Sequence, residues 1–142
     1  MKTIKDLMDT RQREVYTINS SQTIYQALLL LAEKNVGALP VLEEHRLVGI
    51  ISERDYARKV ILKGASSLDT MVKKIMTERL ISVSPETSLE QCLDIMTKRH
   101  VRHLPVIEND DLVDFISIGD LVESVLAYKD RQISELSSIE SA

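Results

Sequence analysis

Apolar positions along the chain follow two periods in turn. Leu89, Cys92, Leu93 and Met96 fall at i, i+3, i+4 and i+7, the stripe of a helix that buries one face. Ile24, Ala27, Leu28 and Leu31 trace the same stripe earlier in the chain. Around these helices lie short β-branched or apolar runs that predict strands: Val15–Ile18, Ala38–Leu42 and Leu47–Ile51, then Leu80–Val83, His103–Ile107 and Leu112–Ile116. The polar turns Glu43-Glu44-His45 and Glu108-Asn109-Asp110-Asp111 are short enough to close tight hairpins. Pro40 and Pro105 lack an amide donor, which favours a sheet edge or a strand end. Thr87, with Glu90 three places on, predicts a capping box for the second central helix. Glu53–Lys63 and Ile118–Lys129 read as closing helices. The order is β-α-β-β-α, twice.

The repetition is literal. Residues Ile18–Ile61 laid over Val83–Leu126 match without a gap, and thirteen of the 44 pairs are identical, among them Gln26/Gln91, Pro40/Pro105, Ser52/Ser117 and Asp55/Asp120. Each unit has a lead-in, Lys5-Asp6-Leu7-Met8 and Lys73-Lys74-Ile75-Met76. The lead-ins are offset by 68 residues rather than 65, which reads as three residues lost from the first copy or gained by the second. A unit of this size exposes one sheet face and is marginal alone. Two copies can cover each other about a pseudo-two-fold axis. The expected fold is therefore α/β of the α+β kind: repeat 1 over 4–64, repeat 2 over 69–129, and a C-terminal tail over 130–142. That tail carries Ile133, Leu136 and Ile139 and reads as a frayed end or a short extra helix.

Charge and composition narrow the function. The net charge of −4 argues against nucleic acid or an anionic membrane as the main partner. No apolar run approaches a membrane span, the N-terminus lacks a signal-peptide core, and one cysteine excludes an internal disulfide. These features predict a cytoplasmic protein. No catalytic set emerges: His45, His100 and His103 have no metal-ligand spacing, and Cys92 lies on the buried stripe. There is no phosphate-cradling Gly-rich loop of the P-loop or Rossmann kind. The expectation is a non-enzyme without a catalytic cofactor or metal.

The corner Ser52-Glu53-Arg54-Asp55 returns as Ser117-Ile118-Gly119-Asp120. Read structurally, each Ser caps a helix and each Asp favours the positive end of its dipole. Read functionally, the same helix start offers free amides to an anion, and an Asp one turn in can accept two vicinal hydroxyls. Arg54 suits a phosphate, and Gly119 leaves backbone amides open to close approach.

The phrases Gly37-Ala38-Leu39-Pro40-Val41, Ser52-Glu53-Arg54-Asp55-Tyr56, Arg102-His103-Leu104-Pro105-Val106 and Ile116-Ser117-Ile118-Gly119-Asp120-Leu121 resemble CBS domains, a family named for cystathionine β-synthase. Two in tandem form a Bateman module, and the resemblance covers roughly residues 4–128. It implies a stand-alone regulatory pair that binds an adenine nucleotide between its halves. AMP is the first choice, with ATP, ADP, NAD or S-adenosylmethionine behind it. The alternative is a ligand-free interaction module with a vestigial cleft. In similar pairs the Asp holds the ribose diol, while the Ser and the residue before the Asp lie beside phosphate. Each ligand meets the strand entrance of one copy and the Ser-x-x-Asp of the other. Carried over, one site combines Val36 and Ala38 with Ser117, Gly119 and Asp120, with Arg102 and His103 supplying charge. The other combines Val83 and Val101 with Ser52, Arg54 and Asp55.

Two differences between the copies matter. Asp114 stands where the first copy has Gly49, and a carboxylate turned into the cleft would repel phosphate. The first corner is thus the stronger candidate. Leu29 stands where the second copy has Asp94, which, with the resemblance, implies a homodimer through the helices and a regulated protein partner of unknown identity.

Overall fold

The computed structural model describes residues 2–11 and 14–141, the side chains of 137–141 excepted. Helix α1 spans Ile4–Arg11. The first repeat follows as β1 (Ile18–Asn19), α2 (Ile24–Lys34), β2 (Ala38–Glu43) and β3 (Arg46–Ser52), then α3 (Glu53–Asp55), which continues as a π-helix over Tyr56–Ile61. A 3₁₀ turn at Val72–Lys74 opens the second repeat. It continues as α4 (Leu89–Arg99), β4 (His103–Glu108), β5 (Asp111–Ser117) and α5 (Ile118–Ser141).

The sequence reading and the fold agree on the order of elements and differ at their ends. The first strand of each unit is shorter than its apolar run: β1 keeps only Ile18–Asn19, and the second unit keeps a single parallel bridge, Val83 to Val106. The run is apolar because it packs, while only its last residues reach the neighbouring strand. The capping box of α4 is Ser88 with Gln91, not Thr87 with Glu90; Thr87 instead accepts the Ser84 amide through its hydroxyl. In α2 Thr23 and Gln26 make the same box, so the identical pair Gln26/Gln91 is explained by capping. The 130–142 tail is no separate element, since α5 runs on through Ser141. Ile133 and Leu136 on it are exposed, and Ile139 lies outside the described side chains.

Both hairpins close as their spacing predicts. Glu43 pairs with Arg46 and Glu108 with Asp111, leaving two-residue turns. All four turn residues are left-handed: Glu44 and His45 at φ 49° and 68°, Asn109 and Asp110 at 52° and 67°. Positive φ at both central positions matches the right-handed twist of the strands. Pro105 uses its carbonyl, not its absent amide, to join the Val83 amide at 3.0 Å. The proline thus sits at the entrance of the parallel pairing, where no amide is required.

The two lead-ins are exchanged between the repeats. Ile4 and Lys5 donate their amides to Thr87 and Pro85 of the second repeat, and Leu89 donates to Lys2. Reciprocally, Val72 and Lys73 donate to Gln22 and Ser20 of the first repeat, and Ile24 donates to Thr70. The apolar cores follow suit. Ile4 and Leu7 are buried with Leu89, Cys92, Leu104, Val106, Ile116 and Leu121, whereas Val72 and Ile75 are buried with Ile24, Ala27, Leu39, Val41 and Ile51.

The length difference between the lead-ins runs opposite to the expectation. Ten positions separate Met8 from Ile18, but seven separate Met76 from Val83, so the first copy holds three more residues here. In the first copy the lead-in stays helical through Arg11. In the second it leaves its helical turn early, and Thr77 pairs with Ile50 through both backbone groups, at 3.0 and 2.8 Å. Gly49 permits this. A Cβ there would lie 2.5 Å from Met76 Sδ and 3.1 Å from the Thr77 carbonyl oxygen.

Candidate functional site

At the first corner β3 ends in Ser52, whose backbone is extended, and α3 begins. The Ser52 amide and hydroxyl each donate to Asp55 Oδ2 at 3.0 Å, and the Asp55 amide donates back to Ser52 Oγ at 3.1 Å. The other carboxylate oxygen, Oδ1, accepts the Thr77 hydroxyl at 3.3 Å and pairs with Lys59 Nζ at 3.1 Å. A carboxylate offers about four acceptor positions, so Asp55 is fully engaged. Lys59 also donates to the Ile75 carbonyl at 2.9 Å. It thereby ties the corner to the lead-in of the second repeat.

This corner opens on a cleft of about 590 Å³. Across from Ser52, Arg54 and Asp55 stand Arg79, Leu80 and Ile81 from the inter-repeat strand run, and His100, Val101, Arg102 and His103 from the entrance of β4. Five basic side chains line it (Arg54, Arg58, Lys59, Arg79 and Arg102), against two carboxylates, Glu53 and Asp55. On a chain of net charge −4 this is a local reversal of sign, of the kind that concentrates anions in a cleft. The His103 ring stacks on Phe115 at 5.3 Å, nearly parallel. Burial holds its pKa below the usual histidine value; Asp120 pulls it up and Arg102 pushes it down.

The second corner repeats the bonds but not the cleft. The Ser117 amide donates to Asp120 Oδ2 and the Asp120 amide to Ser117 Oγ, both at 3.1 Å. Arg11, at the end of α1, places Nη1 3.5 Å from Asp120 Oδ2 and Nη2 3.9 Å from Asp114 Oδ1. Asp114 is buried, its Oδ1 accepting the Phe115 amide at 2.7 Å. The nearby cavity is only about 60 Å³, lined by Val36, Ala38, Asp114 and Phe115 among others.

Of the residues in the crossed arrangement read from the sequence, the fold brings one group together in part. Val101 joins Ser52, Arg54 and Asp55 as expected, but Val83 does not line that cleft; it is buried in the core of the second repeat. Arg102 and His103 line the cleft of the first corner, not that of Val36 and Ala38. Val36 and Ala38 share the small second cavity with Asp114, while Ser117, Gly119 and Asp120 do not line it. The cleft residues not foreseen include Arg58, Lys59, Thr77, Arg79 and His100. Arg58 lies one turn beyond Arg54 and could have been read from that spacing. Thr77 and Arg79 lie in the segment between lead-in and strand, which carries no periodic signal. Cys92 is buried as foreseen, and burial pushes its thiol up to about 11. Among the described residues, no group of three acidic, His or Cys side chains could hold a metal, and no helix is long and apolar enough to cross a membrane.

The CBS domain family profile matches residues 4–62 and 72–127. A protein with CBS domains from Burkholderia ambifaria MC40-6 superposes with a TM-score of 0.85 at 42% identity, covering 89% of this chain and 95% of that one. The mitochondrial CBS domain-containing protein CBSX3 of Arabidopsis thaliana is 37% identical over 96% of this chain and 70% of its own length. The structure of CBSX2 in complex with AMP superposes with a TM-score of 0.73 at 29% identity, covering 91% of this chain and 99% of that one. With two matched repeats and these relatives, the chain belongs to the CBS domain family and is built as a CBS pair.

Proposed function

We propose that the chain is a non-catalytic regulatory module of the cytoplasm that binds an adenine nucleotide in the cleft of its first corner. One observation carries this reading: the cleft places Asp55 opposite Arg79, Arg102 and His103 and beside Arg54 and Arg58, a diol acceptor within a cationic surround. The AMP bound by CBSX2 supports AMP as the first ligand to test; ATP, ADP, NAD and S-adenosylmethionine follow. In this reading Asp55 receives the ribose hydroxyls, and Arg54, Arg102 and His103 meet the phosphate.

The carboxylate of Asp55 already has four donors, so a ribose must displace one. Lys59 and Thr77 are the candidates, because both reach in from outside the Ser52–Asp55 turn. Lys59 also holds the Ile75 carbonyl. Its release would loosen the second lead-in from the first repeat, so binding would favour one arrangement of the two halves over another. A protein partner then reads that arrangement. The exposed apolar side chains Tyr25, Leu29, Ile61, Leu62, Val122 and Leu126 support a helix-mediated homodimer as the unit that signals.

Calorimetry with AMP, ATP and NAD tests the reading. Heat of binding is expected with at least one of them. It should vanish in Asp55→Ala and persist in Asp120→Ala, which loses a matching helix cap and so controls for folding. No heat with any adenine ligand overturns the nucleotide reading, and conversion of the ligand on incubation overturns the non-catalytic one.

A further inference from the structure

We propose that Arg11 is a built-in occupant of the second cleft, so that the chain presents one nucleotide site rather than two. The inference rests in part on the nucleotide reading above. It begins from a difference that the repeat itself exposes. The two lead-ins dock through equivalent hydrogen bonds, at Lys2, Ile4 and Lys5 and at Thr70, Val72 and Lys73, and their sequences correspond as far as Met8 and Met76. Beyond them the first copy spends its three extra residues on a further helical turn, which ends in Arg11.

That turn delivers a guanidinium between Asp114 and Asp120. Asp120 is the repeat-mate of Asp55, the residue that would receive a ribose. Asp114 is the repeat-mate of Gly49, the residue that lets the second lead-in come close. The changes compensate one another. With Gly49 the following chain presses against β3 as Met76 and Thr77; at the matching position Asp114 brings a buried carboxylate, which the Arg11 guanidinium answers. The side chains of Arg11 and Asp114 are 19% and 7% exposed, so the pair is withdrawn from water and weakly screened. Arg11 thus engages the carboxylate that a ribose would take, and the cavity that Asp114 lines measures about 60 Å³ against about 590 Å³ at the first corner.

Thiol labelling tests access without any nucleotide. Val36 and Val101 are repeat-mates that line the second and first cavities, and the native Cys92 is buried and silent. Val101→Cys is expected to react fast with a soluble maleimide, and Val36→Cys slowly. Adding Arg11→Ala should accelerate Val36→Cys by about tenfold or more and leave Val101→Cys unchanged. Arg11→Ala leaves Asp114 charged and buried, so Arg11→Ala/Asp114→Asn is run beside it and decides the matter if the single variant does not fold. Equal labelling of Val36→Cys with and without Arg11 overturns the proposal. In calorimetry with AMP the wild type should bind one equivalent, and Asp120→Ala should leave that stoichiometry at one. The double variant should bind a second equivalent that Asp120→Ala removes. A wild type that binds two equivalents, one of them removed by Asp120→Ala, also overturns the proposal. If AMP binds nowhere while the labelling difference holds, the nucleotide reading fails and the plug stands.

Discussion

His103 shows how a residue acquires a property that its identity alone does not carry. Stacked on Phe115 and turned toward the cleft, its imidazole resists protonation because burial strips water from the charged form. In the unfolded chain it titrates near 6.5. Above that pH both states are neutral and the group contributes nothing. As the pH falls through 6.5 toward the lower folded value, the unfolded chain takes up a proton that the folded chain refuses, and stability drops. The urea midpoint is therefore expected to fall across this window in the wild type and to fall less in His103→Gln. A phosphate beside the ring would reverse the balance, so nucleotide binding should be accompanied by proton uptake near neutral pH. Calorimetry in buffers of different ionisation enthalpy reads it. Cys92 is the opposite case. Its thiol, pushed up to about 11, stays protonated at neutral pH, and thiol reagents should leave the folded wild type unmodified.

At the scale of elements, the helix starts were largely legible and the strand ends were not. Ser-x-x-Asp marks both α3 and α5 because an N-cap is a local arrangement of four residues that needs no tertiary partner. The capping box of α4 starts one residue later than its Thr87–Glu90 spacing predicts, because Thr87 and Ser88 compete for the same role. Pairing covers less of the runs Val15–Ile18 and Leu80–Val83 than their apolar character predicts, because that character reports burial, whereas strand pairing depends on a neighbour supplied elsewhere in the chain. Gly49 is the element-level feature to test. Gly49→Ala places a methyl against the flexible Met76 side chain and tight to the Thr77 carbonyl. It should lower stability by about 1–3 kcal/mol in urea unfolding. Met76→Ala in the same chain should recover part of that loss but not all, since the backbone contact remains.

Across the whole molecule, the exchange of lead-ins makes each repeat depend on a segment that chain order assigns to the other. Ile4 is fully buried, and its neighbours are the core residues of the second repeat. Ile4→Ala should therefore cost about 2–5 kcal/mol. Amide exchange should show the loss of protection in α4 and β4 before α2 and β2. Protection lost first in the first repeat would contradict the exchange. The same interlocking gives the Lys59 bridge from Asp55 to Ile75 its reach, because the lead-in it holds also closes the core of the first repeat.

The sequence by itself determined the duplication, the order of elements, the two hairpin turns and the two Ser-x-x-Asp corners. Each of these is local: a period, a cap or a turn is written within a few consecutive residues, and a gapless repeat needs only comparison. Gly49 against Asp114 already favoured the first corner in the sequence; tertiary structure alone decided how that corner comes to open on a cleft and the second does not. That outcome depends on three extra residues that carry Arg11 across to Asp114 and Asp120, and on a glycine that lets Met76 and Thr77 lie against β3. Neither contact has a sequence spacing that announces it. The partners are brought together by the docking of one repeat's lead-in on the other, and the charge of a cleft is a sum over residues that only the fold makes neighbours.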